Sequence, residues 1–167
     1  MKINFTSLCV VGMIFTSAAH AYQADITVTS TIDPTAGITM SDGSALPKSI
    51  DMNFTPGKGL NSYSDQVKLW TNGDYDMKVR LANTPQLMDV SGTNTIPLMV
   101  KLNNTELNTT DTTYNFSQLF PNGNIDQGSN SMPLLIKQAN ATQAFVAGNY
   151  SGMVSMVISQ ATTKDGK

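Results

Sequence analysis

The sequence predicts an all-β protein, a sandwich of short strands, on three observations. Residues Tyr22–Thr35 alternate strictly: Ala24, Ile26, Val28, Ser30 and Ile32 fall on one face, and Asp25, Thr27, Thr29 and Thr31 on the other. Further short alternating runs recur along the chain, separated by Gly, Pro, Asn and Asp turn signals. No helical period is sustained over three turns. Charged residues are only 13% of the chain, and the abundant Thr, Asn, Ser and Gly suit strands with polar faces and many turns. No internal repeat with a period of roughly 20 to 50 residues is visible, and no linker marks a second domain.

Residues 1–21 read as a cleavable leader. Lys2 is a short positive region, Leu8 to Phe15 is an apolar run too short to span a bilayer, and Ala19-His20-Ala21 is an A-x-A cleavage signature. Its removal leaves 146 of the 167 residues, enough for one domain with a sizeable core. The lone cysteine, Cys9, and the lone histidine, His20, both lie in the leader. The mature chain then has nine basic and twelve acidic residues once Lys2 is gone. With no disulfide, packing and backbone hydrogen bonds must hold this exported domain. With no basic patch, nucleic-acid binding is not expected.

After Tyr22–Thr35 comes a turn at Asp42-Gly43-Ser44. Ile50, Met52 and Phe54 alternate as a half-buried strand, ended by Pro56-Gly57-Lys58-Gly59. Residues 66–71 put Val67 and Leu69 on one face, Lys68 and Trp70 on the other. Asn72-Gly73-Asp74 is the strongest hairpin signal in the chain, and predicts antiparallel pairing with the run 76–81, where Met77, Val79 and Leu81 alternate with polar residues. Residues 96–102 form a strand with Leu98, Val100 and Leu102 inward, turned by Asn103-Asn104. Residues 114–120 fit a short helix or a strand. Met132 to Lys137 is a near-continuous apolar strand, compatible with burial on both faces. Tyr150 to Ser159 closes the fold with Gly152, Val154, Met156 and Ile158 inward, and the tail 161–167 is polar. Strands of this number and spacing indicate a sandwich of immunoglobulin type.

Without His or Cys the mature chain cannot build a Ser-His-Asp triad, a thiol nucleophile or an ordinary zinc site. No catalytic, metal-ligating or cofactor-binding residues are expected. Asp74-x-Asp76 lacks the further acidic ligands of a calcium loop and reads as a solvated turn. Trp70 with Tyr63 and Tyr75 could form a sugar platform, but interface or surface packing is the simpler reading. The N-x-[ST] triplets at Asn53, Asn103, Asn108, Asn115, Asn140 and Asn149 reflect an Asn/Thr-rich composition, and the ten methionines read as core filler.

Several stretches resemble the major pilins of class 5 (alpha-clade chaperone–usher) fimbriae of the colonization-factor-antigen-I type: I-T-V-T at 26–29, D-P-T at 33–35, D-G-S-A-L-P at 42–47, L-A-N-T-P-Q-L at 81–87 and A-G-N-Y-S-G at 147–152. The matches are in order and span most of the mature chain. Residues 91–140 resemble the family only loosely, and the ending 160–167 is longer than its pattern. The resemblance implies an incomplete immunoglobulin-like sandwich, residues 36–160, that lacks its last strand. A periplasmic chaperone first fills the open groove. The N-terminal extension of the next copy, residues 22–35 here, then replaces the chaperone at an outer-membrane usher. By the same resemblance, this donor-strand exchange is expected to build a homopolymeric rod on the cell surface, from subunits exported through the periplasm, that carries a tip adhesin and attaches bacteria to host cells.

On that reading Ile26, Val28 and Ile32 plug the groove, with Ala24 and Ser30 where it is shallow. Val154, Met156 and Ile158 are the acceptor-groove candidates. Burying three such aliphatic side chains contributes roughly 5–9 kcal/mol before binding costs. Pro34 is either a strand terminator or a hinge between extension and domain. No apolar strand follows Ser159 to complete the sandwich, so the lead strand is expected to complete a neighbouring copy rather than its own domain. The rival functions are a tip adhesin or carbohydrate-binding sandwich and, less well supported, a hydrolase using two carboxylates.

Overall fold

The computed structural model describes residues 35–140 and 146–162. The leader, the extension with Ala24, Ile26, Val28, Ser30, Ile32 and Pro34, and tail residues 163–167 lie outside the described residues. In chain order the strands are β1 (Ala36–Met40), β2 (Phe54–Thr55), β3 (Gly59–Leu60), β4 (Tyr63–Thr71), β5 (Met77–Leu81), β6 (Gln86–Asp89), β7 (Thr95–Leu102), β8 (Thr105–Leu107) and β9 (Thr112–Tyr114). The helical turn α1 (Phe116–Leu119) follows, then β10 (Met132–Gln138), β11 (Tyr150–Ser151) and β12 (Met156–Gln160).

Two sheets enclose the core. The larger runs β1-β4-β10-β7-β6-β11, with β8 also on β7; the smaller runs β12-β5-β9. Alternation decides what each strand buries. Val67 and Leu69 of β4, Met132, Leu134 and Ile136 of β10, and Leu98, Val100 and Leu102 of β7 point inward from the large sheet. Met77, Val79 and Leu81 of β5 meet them from the small sheet, and all three are fully buried. Leu107, Tyr114, Leu119 and Phe120 close the same cluster. The all-β sandwich expected from the alternation is the architecture observed.

Several expectations need correction. Strands β4 and β5 do not pair. The flanks of β4 are taken by β1 and β10, and those of β5 by β12 and β9. A two-residue type I′ hairpin needs positive φ at both central residues, and neither Asn72 nor Gly73 has it. The link 72–76 instead carries the chain from one sheet to the other, so that two buried rows face each other across the core. A hairpin would have set those rows side by side. The weaker signal, Asn103-Asn104, makes the true tight hairpin: φ is 49° and 65°, and Leu102 pairs with Thr105.

The expected strand at 50–54 shrinks to β2, whose Phe54 pairs with Leu60. Phe54 is 59% exposed; Met52 alone of its apolar row packs on the core. This small hairpin is held by Gln138, buried in β10, whose Oε1 accepts the Leu60 N–H at 3.0 Å. Gly59, at φ 84°, lies against that amide, where a side chain would collide. The ambiguous segment 114–120 is the end of β9 followed by α1, with Phe116 and Phe120 stacked at 4.9 Å. Strand β10 buries one face, and its outer face is half-buried rather than sealed.

The run 150–159 is not one strand. Its first part, β11, pairs with β6 in the large sheet; its second, β12, pairs with β5 in the small one. Gly152, expected inward, is exposed at the crossing and presses on the Gln86 carbonyl, where a Cβ cannot fit. Asp76, read as part of a solvated turn, is buried. Its Oδ1 accepts the Phe116 N–H at 2.6 Å and its Oδ2 has no protein partner.

Candidate functional site

Strands β1 and β12 are the edges of the two sheets on one side of the sandwich, and they lie beside each other. β1 is laddered to β4 from Ala36↔Thr71 to Met40↔Val67, and β12 to β5 from Met156↔Leu81 to Gln160↔Met77. Among the described residues no strand is laddered to the opposite edge of either. The two edges therefore bound a seam.

The floor of the seam is apolar. Ala36, Ile38 and Met40 from β1, and Val154, Met156 and Ile158 beside and within β12, all pack against the core yet remain partly exposed. Every residue of β1 is half-buried, whereas β5 and β10 alternate between buried and half-buried positions. An apolar row with partly exposed backbone edges on both sides is the surface that an added strand satisfies, by main-chain bonds and by alternate side chains. The structure places Val154, Met156 and Ile158, expected from the sequence as groove residues, on the β12 side of this seam. The opposite wall, Ala36, Ile38 and Met40, was not anticipated. Its signal was present in the alternation A-G-I-T-M before the Asp42-Gly43 turn, but Asp33-Pro34 drew the strand boundary too early and Gly37 weakened the pattern.

Specific bonds fix β1. Trp70 Nε1 donates to Thr39 Oγ1 at 2.8 Å, on the outer face of the large sheet, and the indole lies against Gly128. At the other end Gln160 Nε2 stands 2.8 Å from the Thr35 carbonyl oxygen. The aromatic platform does not form: Trp70 is committed to Thr39, the Tyr75 ring covers Gly73, and Tyr63 lies about 23 Å from Trp70 along β4.

Among the described residues no group of three or more His, Cys, Asp or Glu side chains converges. A cleft of about 390 Å³ lies away from the seam, under the segment 119–131; it is lined by Lys68, Phe120, Asn122 and Gln127 among others, with no carboxylate. Lys68 Nζ there donates to the Gln127 carbonyl at 3.2 Å. The shifted groups are structural. Burial pushes the Tyr114 phenol up to about 12, and its hydroxyl donates to the Leu102 carbonyl at 3.0 Å, joining the two sheets. The Asn94 amide, with Ser91 and two backbone N–H groups, holds the Asp89 carboxyl down at about 2 and braces the loop 89–94.

Comparison with known proteins gives these edges a context. The family model of the CS1 type fimbrial major subunit matches residues 22–159. The CFA/I fimbrial subunit of Escherichia coli O78:H11 is 34% identical over 164 residues, covering 94% of this chain and 96% of that protein. The CS1 fimbrial subunit of Escherichia coli is 30% identical over 170 residues, covering 97% and 99%. Among solved structures, the CooA pilin from enterotoxigenic Escherichia coli superposes with a TM-score of 0.68 at 30% identity, covering 79% of this chain and 91% of that one. The sandwich is accordingly immunoglobulin-like, as its strand pattern indicated. An alternating all-β chain with this extent of match belongs to the CS1-type fimbrial major subunits.

Proposed function

We propose that this structural subunit polymerises by donor-strand exchange. The observation that carries the proposal is the seam, with its half-buried apolar floor between two strands laddered on one side only. The extension 22–35 of a neighbouring copy supplies the occupant. Its strict alternation sends Ile26, Val28 and Ile32 toward Ala36, Ile38, Met40, Val154, Met156 and Ile158, while Ala24 and Ser30 sit where the seam is shallow. Before assembly the same seam is a hazard, because a partly exposed edge templates uncontrolled pairing. A periplasmic chaperone strand that covers it, and an outer-membrane usher where the exchange occurs, answer that hazard. Residues 1–21 act as the export leader, and the rod carries a tip adhesin and supports attachment to host cells. The chain serves as a building element and not as an enzyme. Pro34 sits where extension meets domain and is proposed as a hinge; Pro34→Ala then alters the force–extension curve of the rod, and an unchanged curve rejects the hinge.

Deletion of residues 22–34 tests the central reading. Electron microscopy of cells expressing the intact operon is expected to show fimbriae with the full chain and none with the deletion. Fimbriae of normal length and number from the deleted chain refute it.

A further inference from the structure

The end of the seam nearest Thr35 is closed by one side chain. Gln160 is the last residue of β12, and its backbone is fixed opposite Met77 in the small sheet. The next residue holds the chain in place: Ala161 N–H donates to the Asp76 carbonyl at 2.7 Å. From that anchored position the Gln160 amide nitrogen lies 2.8 Å from the Thr35 carbonyl oxygen, 2.7 Å from Thr71 Oγ1 and 2.8 Å from Asn72 Oδ1. Thr35 N–H donates to the same Asn72 Oδ1 at 3.0 Å. Thr71 Oγ1 in turn donates to the Gly73 carbonyl at 2.9 Å, so the corner itself is braced.

All three neighbours of Gln160 Nε2 are oxygens, and an amide has two hydrogens to place among them. The position therefore calls for a donor, not merely for a polar residue. The elements tied together are the residue before β1, the end of β4, the corner after it, and the end of β12. Among the described residues, this is the side-chain bond that reaches from β12 to the chain entering β1. Nothing in the alternation of the sequence marks Gln160, because its role depends on a partner 125 positions away.

We propose that Gln160 is a positioning residue for strand exchange. Its amide pins the far wall of the seam to the point where the chain's own extension joins the domain. This fixes the width of the groove at one end, and it fixes the direction in which each copy leaves its own domain for the next. The proposal rests on the donor-strand reading above and concerns how tightly one copy holds its neighbour's strand.

The test compares fimbriae assembled from full-length chains, by the rate at which they shed subunits in moderate guanidinium. Gln160→Met keeps length and removes the donor; shedding is expected to be about tenfold faster. Gln160→Glu sets a carboxylate against three oxygens, and shedding is expected to be faster still, or assembly to fail. Gln160→Lys carries three donor hydrogens to the same three oxygens and is expected to shed at close to the wild-type rate. The order lysine and glutamine, then methionine, then glutamate is one that simple loss of packing does not produce, since packing would favour methionine over lysine. Asp74 and Asp76 are the carboxylates of the corner 72–76, and Lys78 of β5 is laddered to Ser159 beside Gln160. Gln160→Met leaves them unchanged and separates loss of the donor from any general effect of charge. Wild-type shedding rates in both Gln160→Met and Gln160→Glu overturn the proposal. Fimbriae formed without residues 22–34 overturn the donor-strand reading itself, a result distinct from any outcome at Gln160.

Discussion

Strand β5 and the pair β1 and β12 are built from the same kind of alternating sequence, and they end in different states. Met77, Val79 and Leu81 in β5 are wholly sealed, because β5 is laddered on both sides and faces the large sheet. Ile38, Met40, Met156 and Ile158 have comparable side chains and remain half-buried, because each lies on a strand laddered on one side. Burial here follows position in the sheet order rather than residue type. The sealed centre lets the domain hold its shape. On the proposed donor-strand reading, the half-buried seam is where free energy remains to be gained by association, at roughly 25 cal/mol for each Å² of apolar surface removed from water.

Substitutions in the centre should weaken the fimbria and the isolated domain together. Leu69→Ala or Leu81→Ala is expected to cost about 2–5 kcal/mol through transfer and cavity terms, read as loss of folded protein together with loss of fibres. Gly152→Ala, at the crossing between sheets, forces a Cβ onto the Gln86 carbonyl and should cost roughly 1–3 kcal/mol in unfolding of the domain by denaturant. A neutral outcome would mean that the crossing shifts freely.

At the seam the two measurements should separate. Ile158→Ala is expected to cost the lone domain only about 1–2 kcal/mol, since the side chain is already half in water, while fibre dissociation by heat should suffer more. Equal effects on fibre and lone domain would erase the distinction between centre and seam.

Two smaller effects depend on pH. Tyr114 has its folded pKa raised to about 12 from an ordinary value near 10. Its contribution is complete below pH 10 and is lost as pH rises through 12. Tyr114→Phe should cost about 1 kcal/mol at neutral pH, through the lost bond to Leu102, and should remove that alkaline step from the melting profile. Asp89, on the exposed loop 89–94, is the opposite case. With its folded pKa lowered to about 2, its contribution is present above pH 4 and is lost as pH falls through 2. Asp89→Asn should flatten the acid limb of the melting profile and lower the melting temperature at neutral pH, where the carboxylate's contribution is present.

Much of this was legible in residue order. The rows Val67–Leu69, Met77–Val79–Leu81 and Leu98–Val100–Leu102 were readable as inward faces because side chains alternate with a period of two, whatever the partner strand. Pairing was not readable to the same degree. Asn72-Gly73 carried the strongest turn signal, yet the chain crosses between sheets there, because both flanks of β4 are filled by distant segments. The 150–159 run looked continuous, and only the competing edges of β6 and β5 divide it.

The sequence alone determined the all-β class, the faces of the main strands and the family, since these depend on local alternation and on short motifs in order. The tertiary structure alone decided that Ala36–Met40 is the second wall of the seam, that Asp76 is buried and that Gln160 spans the seam's end. Each of these depends on which segments become neighbours across the sandwich, a choice set by competition among all strands for edges and core, and so not encoded in any one stretch.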